Sequence, residues 1–139
     1  MKTVSATTQI DAPPTAVWAV LADLSRYPEW NPLFREASGQ LAAGERITLR
    51  AVNPANGRLM TVKAKILAAD PGAELRWASS LPGIMSGEHS FVLTPVDGGT
   101  RLVQAEIYGG LLAATVSVPR TETSFQALNE ALRQRAENP

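Results

Sequence analysis

The stretch GEHSFVLTPVDGGTRLVQAEIY, residues 87–108, decides the fold because it contains two strand patterns on either side of a turn signal. GEHSFVLTP and TRLVQAEIY alternate polar with apolar side chains, which is typical of half-buried strands. The segment VDGG between them offers the Asp-Gly and Gly-Gly pairs that tight hairpin turns favour. The stretch therefore predicts an antiparallel hairpin.

Further strand patterns precede this hairpin. REASGQL, RITLRAV, LMTVKAKILAA and AELRWASS are separated by AAGE, NPANG, DPG and LPGIMSG, which are rich in turn-forming residues. TVSATTQI near the N-terminus alternates in the same way. The sequence thus predicts one early strand followed later by six consecutive antiparallel strands.

Helical patterns lie in two places. After the first strand, Pro13 and Pro14 suit the first turn of a helix through TAVWAVLADL, and a second short helix, SRYPEW, must end by Asn31 because Pro32 follows. From about residue 110 onward, a long helix is predicted by one apolar stripe, formed by Phe125, Leu128 and Leu132. Pro119 should kink that helix or split off its first turns.

Composition limits the classes of protein that this chain can represent. The 139 residues, 45% of them apolar, predict one domain over residues 1–139. Thirteen acidic and thirteen basic residues give no net charge, which argues against nucleic-acid binding. The N-terminal segment has no continuous apolar core of a signal peptide, and the most apolar later stretch, GGLLAATVSV, has about half the length of a bilayer span, so we expect a cytoplasmic protein without stable membrane insertion.

The element order β-α-α-β6-α predicts an α+β fold in which a curved seven-stranded antiparallel sheet wraps around a long C-terminal helix. A helix and a strongly curved sheet cannot touch along their whole length. Space remains between them, and cavities of this kind hold small apolar ligands.

Five segments in this order, APP..VW.VL.DL.RYPEWNP, LRW, GEHSFVLTP, GGTRL and QAEIYGGLL, resemble the helix-grip superfamily of START, birch-pollen-allergen and polyketide-cyclase proteins. The resemblance covers nearly the whole chain. It implies a deep internal pocket bounded by the sheet, the long helix and the short helices. Members include lipid carriers, hormone receptors and aromatase/cyclases, so the fold does not settle the function.

The last two predicted strands carry the polar candidates. His89, Phe91 and Leu93 form the more apolar face of their strand and should point inward. In the next strand, alternation alone would turn Val103, Ala105 and Ile107 inward. The resemblance implies the opposite face, with Glu106 and Tyr108 in the pocket, and we follow it.

The hairpin turn determines how these side chains meet. A turn at Asp97 and Gly98 would pair His89 with Glu106, whereas a turn at Gly98 and Gly99 would pair His89 with Tyr108. In either register a histidine and a carboxylate share an apolar pocket. They could satisfy each other structurally, anchor a ligand, or act as an acid/base pair.

Trp30, in the connector YPEWNPLF, has two readings. It either packs against one end of the sheet, with Asn31 satisfying backbone groups near Pro32, or lines the mouth of the cavity. No cofactor is predicted, and one histidine without any cysteine cannot build a metal site.

Three functions follow. The first is binding of a small hydrophobic molecule by a carrier or sensor. The second is a polyketide cyclase or dehydratase with His89 and Glu106 as catalytic candidates, and the third is a protein-interaction module with a vestigial cavity; a homodimer is compatible with each. The predicted ligand-binding residues are Trp30, Trp77, His89, Phe91, Gln104, Glu106, Tyr108, Leu112 and Val116.

The connector SSLPGIMSGEH is unusually apolar. Leu81, Ile84 and Met85 suit either a mobile lid over the cavity or an edge that contacts another protein.

Overall fold

The computed structural model describes residues 1–139, and its elements follow the predicted order. The strands are β1 Lys2–Ile10, β2 Phe34–Gly39, β3 Arg46–Val52, β4 Leu59–Asp70, β5 Glu74–Leu81, β6 Met85–Val96 and β7 Gly99–Gly109. The helices are α1 Pro14–Leu21, α2 Tyr27–Trp30 and α3 Val118–Glu137, with short 3₁₀ helices at Leu24–Arg26 and Leu111–Thr115.

All seven strands belong to one antiparallel sheet with the order β1-β7-β6-β5-β4-β3-β2. The predicted meander is confirmed, because each strand from β2 to β7 neighbours the next, and β1 completes the sheet by pairing with β7. The register shifts near Phe34 in β2 and near Ile66 in β4. Such bulges bend strands and help a sheet to curve.

The long helix α3 packs its apolar stripe against the inside of the sheet. Phe125, Leu128 and Leu132 are at most 2% exposed, as the helical spacing predicted. Pro119 lies in the first turn of α3 after the N-cap Ser117, and the preceding residues form a separate 3₁₀ helix. Proline has no amide donor, so it is tolerated at this position and not further along the helix.

The segment between β1 and β2 also follows the prediction, with one refinement. SRYPEW divides into the end of a 3₁₀ helix and the four-residue α2, which stops before Asn31. The Asn31 Oδ1 accepts hydrogen bonds from the backbone amides of Leu33 (3.0 Å) and Phe34 (2.8 Å). Asn31 therefore satisfies amides beside Pro32 that have no helical partner, as expected.

The connector between β5 and β6 is shorter than expected. Strand pairing continues from Ser79↔Gly87 to Leu81↔Met85, so only residues 82–84 connect the two strands. The expectation of a long apolar loop is wrong, because Gly83 adopts a φ of +76° that allows a tight reversal. Leu81 and Ile84 nevertheless stay exposed at the hairpin tip.

Strands β4 and β5 separate before their ends. They pair only from Lys65↔Ala78 to Asp70↔Glu74. Residues 59–64 of β4 pair with β3 alone, and residues 79–81 of β5 pair with β6 alone. A gap, here called the β4–β5 gap, therefore interrupts the sheet at this end.

Candidate functional site

A cavity of about 370 Å³ lies between the inner face of the sheet and α3. Its lining is mostly apolar, with Leu49 and Ala51 on β3, Trp77 on β5 and Phe125 on α3. Its volume falls within the range of small-molecule pockets. The cavity opens toward the hairpin tips and the 3₁₀ helix Leu111–Thr115, where Ile84 and Leu112 line it.

The structure places five of the nine predicted ligand-binding residues in the lining: Trp77, His89, Glu106, Tyr108 and Leu112. Phe91 and Gln104 are buried, at 1% and 0% exposure, and do not line it. Trp30 and Val116 also lie outside the lining.

Trp30, in the connector YPEWNPLF, packs against the core, as the first of its two readings predicted. It makes an edge-to-face contact with Tyr27, with ring centroids 5.3 Å apart. The helix α2 that carries it precedes Leu33 and Phe34, which are the first residues of the segment to reach the cavity. The indole Nε1 is buried and has no hydrogen-bond acceptor.

The register of β6 and β7 settles which face points inward. His89 pairs directly with Glu106, and Asp97 and Gly98 form a two-residue turn in which both φ angles are positive, +47° and +80°. This is the turn that hairpins favour, because its twist matches that of the strands. The inward orientation that alternation alone gave to Val103, Ala105 and Ile107 is wrong. The side chain of Ile107, for example, is 43% exposed.

Glu106 can face inward because it has a hydrogen-bonding partner there and enough space for its carboxylate. The Glu106 Oε1 lies 3.2 Å from His89 Nδ1. Gly87 is next to it across the strands, and a Cβ at Gly87 would lie 3.2 Å from the same oxygen. The missing side chain of Gly87 thus leaves room for the carboxylate.

A buried hydrogen-bond network continues from His89 away from the cavity. The His89 Nε2 lies 2.9 Å from Gln104 Oε1. The Gln104 Nε2 donates to the Phe125 carbonyl (3.0 Å) and to Asn129 Oδ1 (2.8 Å), and the Asn129 Nδ2 donates to the Ala6 carbonyl (3.1 Å). The polar end of the cavity is therefore fixed to β7, α3 and β1.

Four aromatic rings surround the imidazole of His89. Trp77 stacks on it, with centroids 5.3 Å apart and planes 14° apart, while Phe34, Phe91 and Phe125 contact it at centroid distances of 5.0 to 5.2 Å. Aromatic contacts of this kind contribute packing energy beyond the area they bury, so the four rings hold the imidazole in place. The side chain of His89 is 2% exposed, which leaves almost no direct access to the cavity.

The charge of Glu106 is set by opposing effects. Burial disfavours its ionised form, yet the pKa of the Glu106 carboxyl is lowered, because the attraction of His89 and hydrogen bonds from His89 and Tyr108 outweigh desolvation. Burial, and then the Glu106 charge, raise the pKa of the Tyr108 hydroxyl. At neutral pH the cavity therefore contains a carboxylate beside a neutral phenol.

The mouth of the cavity carries exposed apolar side chains. Leu59 and Met60 on β4, Leu81 and Ile84 at the β5–β6 tip, and Leu112 are between 42% and 60% exposed. Lys63 on β4 lines the same cavity and is the one lysine or arginine in the lining. An apolar molecule can meet a compatible surface before it enters.

Sequence reasoning missed Phe34, Phe125 and Asn129 as parts of the site. Asn129 had a readable signal, because it lies four residues after Phe125 and three before Leu132, on the buried stripe of α3. A polar residue on a buried stripe needs a polar partner, and Gln104 supplies it.

The described chain, residues 1–139, contains no group of three or more His, Cys, Asp and Glu side chains that could hold a metal ion. None of its helices is both long and apolar enough to cross a membrane.

The chain belongs to the family described as polyketide cyclase / dehydrase and lipid transport, whose model matches residues 1–137. This match confirms the resemblance drawn from the sequence motifs. A search of the curated proteins finds no similar sequence.

Solved structures show the same fold at low identity. Protein MLL2253 from Mesorhizobium loti is 22% identical with a TM-score of 0.78, over 98% of this chain and 97% of that one. A START superfamily protein from Mycobacterium smegmatis is 18% identical with a TM-score of 0.75, over 97% of both chains. The di-domain ARO/CYC BexL from the BE-7585A biosynthetic pathway is 21% identical with a TM-score of 0.74, over 100% of this chain and 48% of that one. These likenesses confirm the helix-grip fold.

Proposed function

We propose that this protein binds a small hydrophobic molecule in the cavity and acts as its carrier or sensor. The observation that supports the proposal is a cavity of about 370 Å³ whose lining is mostly apolar and contains the polar pair His89 and Glu106. Removal of apolar surface from water would supply the binding energy, at roughly 25 cal/mol per Å². The polar groups would fix the orientation of the ligand.

Within this proposal, the nine residues predicted from the sequence have different roles. Trp77, Tyr108 and Leu112 would contact the body of the ligand, and Glu106 would meet its polar group. Gln104 and Phe91 would support His89 from behind, because both are buried. Trp30 and Val116 would have no contact with the ligand.

Native mass spectrometry of freshly purified protein is the direct test. We expect a retained small molecule in the wild type and its loss in Val62→Trp, which would fill the cavity from the inner side of β4. Leu67→Trp is the matched control, since Leu67 is an exposed apolar residue on the same strand. Equal retention by both variants, or no binding of any apolar probe by the wild type, would contradict the proposal.

An enzymatic function is the second candidate. The observation that favours it is the direct contact between His89 Nδ1 and Glu106 Oε1 in a cavity that a substrate could enter. Such a pair could move a proton during cyclisation or dehydration of a polyketide-like substrate. BexL, named as an ARO/CYC, shares the fold and makes the comparison relevant.

Glu106→Gln separates the two functions. For a carrier, the variant should weaken binding by roughly 1 to 3 kcal/mol through the loss of a charged hydrogen bond. For an enzyme, binding should change little while turnover of a polyketide substrate falls by about 100-fold or more.

A protein-interaction module with a vestigial cavity has less support, because the cavity is large enough for a ligand. The single-domain organisation, a homodimer and a cytoplasmic location stay predictions from the sequence.

A further inference from the structure

The buried network behind the cavity has only one direction of hydrogen bonding. The Ala6 carbonyl can only accept, so the group of Asn129 that faces it must be the donating Nδ2. The Asn129 Oδ1 then faces Gln104, whose Nε2 donates both to this oxygen and to the Phe125 carbonyl. A flipped Gln104 amide would place its oxygen against these two acceptors.

The direction of these hydrogen bonds requires a hydrogen on Nε2 of His89. Because the Gln104 amide is fixed, its Oε1 is the atom that lies 2.9 Å from His89 Nε2. A carbonyl oxygen accepts and cannot donate. The Nε2 must therefore carry a hydrogen.

A second proton is required on the other side of the ring. The neutral imidazole with Nε2–H has a bare lone pair on Nδ1, which lies 3.2 Å from Glu106 Oε1. A lone pair facing a carboxylate oxygen would be repelled, so one proton must lie between the two atoms. The pKa of the Glu106 carboxyl is lowered, so this proton belongs to Nδ1 and the pair is an imidazolium and a carboxylate with no net charge.

Glu106 is the more accessible member of the pair. The His89 side chain is 2% exposed, whereas that of Glu106 is 16% exposed. A carboxylate accepts about four hydrogen bonds, and His89 and Tyr108 are its protein donors. Glu106 therefore retains acceptor capacity, and a ligand meets an acceptor before it meets the positive ring.

Other charged side chains do not alter the conclusion that a ligand in the cavity meets the Glu106 carboxylate first. Glu88 and Arg76 form an ion pair with each other, outside the cavity lining. Lys63 contributes to the cavity lining, but it is exposed and alternates along β4 with the inward-facing Val62 and Ala64, so its side chain belongs to the solvent side of the strand.

We propose that Glu106 selects apolar ligands whose polar group is a hydroxyl, phenolic or alcoholic, and that the site discriminates against carboxylates. The inference rests on the proposed binding function and names the class of its ligand. The hydroxyl donates to the free acceptor capacity of Glu106, while a carboxylate of the same shape would place two negative charges together without a proton between them.

Calorimetry with a matched pair of probes, naphthol and naphthoate, tests the selection at neutral pH. A hydrogen bond to a charged group is worth roughly 1.5 to 3 kcal/mol, so the wild type should prefer naphthol by about tenfold or more. In Glu106→Gln the preference should fall to about threefold or less, because the amide both donates and accepts. Glu88→Gln makes the same charge change outside the cavity and should behave as the wild type.

The outcomes separate this inference from the function on which it rests. Binding of both probes with equal affinity, or tighter binding of naphthoate, would overturn the selection and leave the binding function standing. Binding of neither probe would count against both. No variant is needed for these two results.

Nitrogen NMR of the wild type tests the premise independently. His89 is the only histidine in the chain, so its two ring nitrogens give unambiguous signals. We expect both to be protonated at neutral pH. A spectrum with a bare Nδ1 would overturn the inference even if the fold and the binding of apolar probes were intact.

Discussion

At the scale of single residues, His89 and Glu106 show how a buried charged pair is tolerated. Removing two charges from water costs several kcal/mol per ion unless geometry and further hydrogen bonds compensate. Here Gln104, Tyr108 and the face of Trp77 provide that compensation. The pair is thus part of the stability of the fold as well as of the proposed site.

The pair makes stability depend on pH in a defined direction. The pKa of the Glu106 carboxyl is lowered in the folded protein, because the attraction and hydrogen bond of His89 outweigh desolvation. Its contribution is therefore complete above the unfolded-state pKa and is lost as the pH falls through the lower folded-state pKa. We expect the stability difference between the wild type and Glu106→Gln to shrink as the pH is lowered below about 4.

Urea denaturation of both proteins between neutral and acidic pH measures this difference. Glu88→Gln again serves as the control, because its carboxylate is more exposed, at 39%. A difference that stays constant, or grows, toward low pH would be inconsistent with an ionised Glu106 in the folded state.

Trp30 offers a second test at this scale. Because Trp30 is only partly buried, Trp30→Ala should cost about 2 kcal/mol, less than the roughly 3 to 5 kcal/mol of a fully packed tryptophan. Trp30→Phe keeps an aromatic ring against Tyr27 and removes the unpaired Nε1 donor. We expect it to cost less than about 1 kcal/mol, since an unsatisfied donor contributes a penalty.

Chemical denaturation of the two Trp30 variants distinguishes packing from hydrogen bonding. If Trp30→Phe destabilised the protein as much as Trp30→Ala, the indole nitrogen would have a partner that the packing account does not include. Ligand affinity should be unchanged in both variants, because Trp30 does not line the cavity.

At the scale of elements, the β4–β5 gap is a feature that the sequence did not suggest, whereas a mobile lid at the β5–β6 tip stays a prediction. Residues 59–64 and 79–81 each lack a strand partner on the side that faces the gap. Half of the amides in a strand point to each neighbour, so those directed into the gap have no partner in the sheet. Such backbone groups belong to the less stable end of a structure.

Hydrogen exchange tests this account. Amides in residues 59–64 that face the gap should exchange faster than those in residues 65–70, where β4 pairs with β5. Binding of an apolar probe should slow exchange in residues 60–63 and 79–81, because these residues line the cavity. Equal exchange rates in the two halves of β4, with or without probe, would contradict it.

At the scale of the whole molecule, the fold was predictable because its signals are local. The alternation of GEHSFVLTP and the Asp97-Gly98 turn depend on neighbouring residues, and the paired strands follow from them. The stripe Phe125, Leu128 and Leu132 likewise needs only the period of a helix. These parts agree with the structure.

The site was less predictable because it depends on contacts between distant segments. Glu106 points inward against the apolar alternation of its own strand, since His89 and Tyr108 stabilise its charge there. The family resemblance supplied that orientation, and periodicity alone did not. Trp30 was placed among the ligand contacts because the sequence cannot show that α2 ends before the cavity begins.

The β4–β5 gap also has a mechanical consequence. It divides the sheet into two parts, β1-β7-β6-β5 and β4-β3-β2. Backbone pairing joins these parts only from Lys65↔Ala78 to Asp70↔Glu74. Residues of both parts line the cavity, Thr61 and Val62 on one side of the gap and Ser79 and Ser80 on the other. The width of the cavity mouth therefore depends on a few strand pairs, and a substitution that weakened those pairs would change which sizes of ligand can enter.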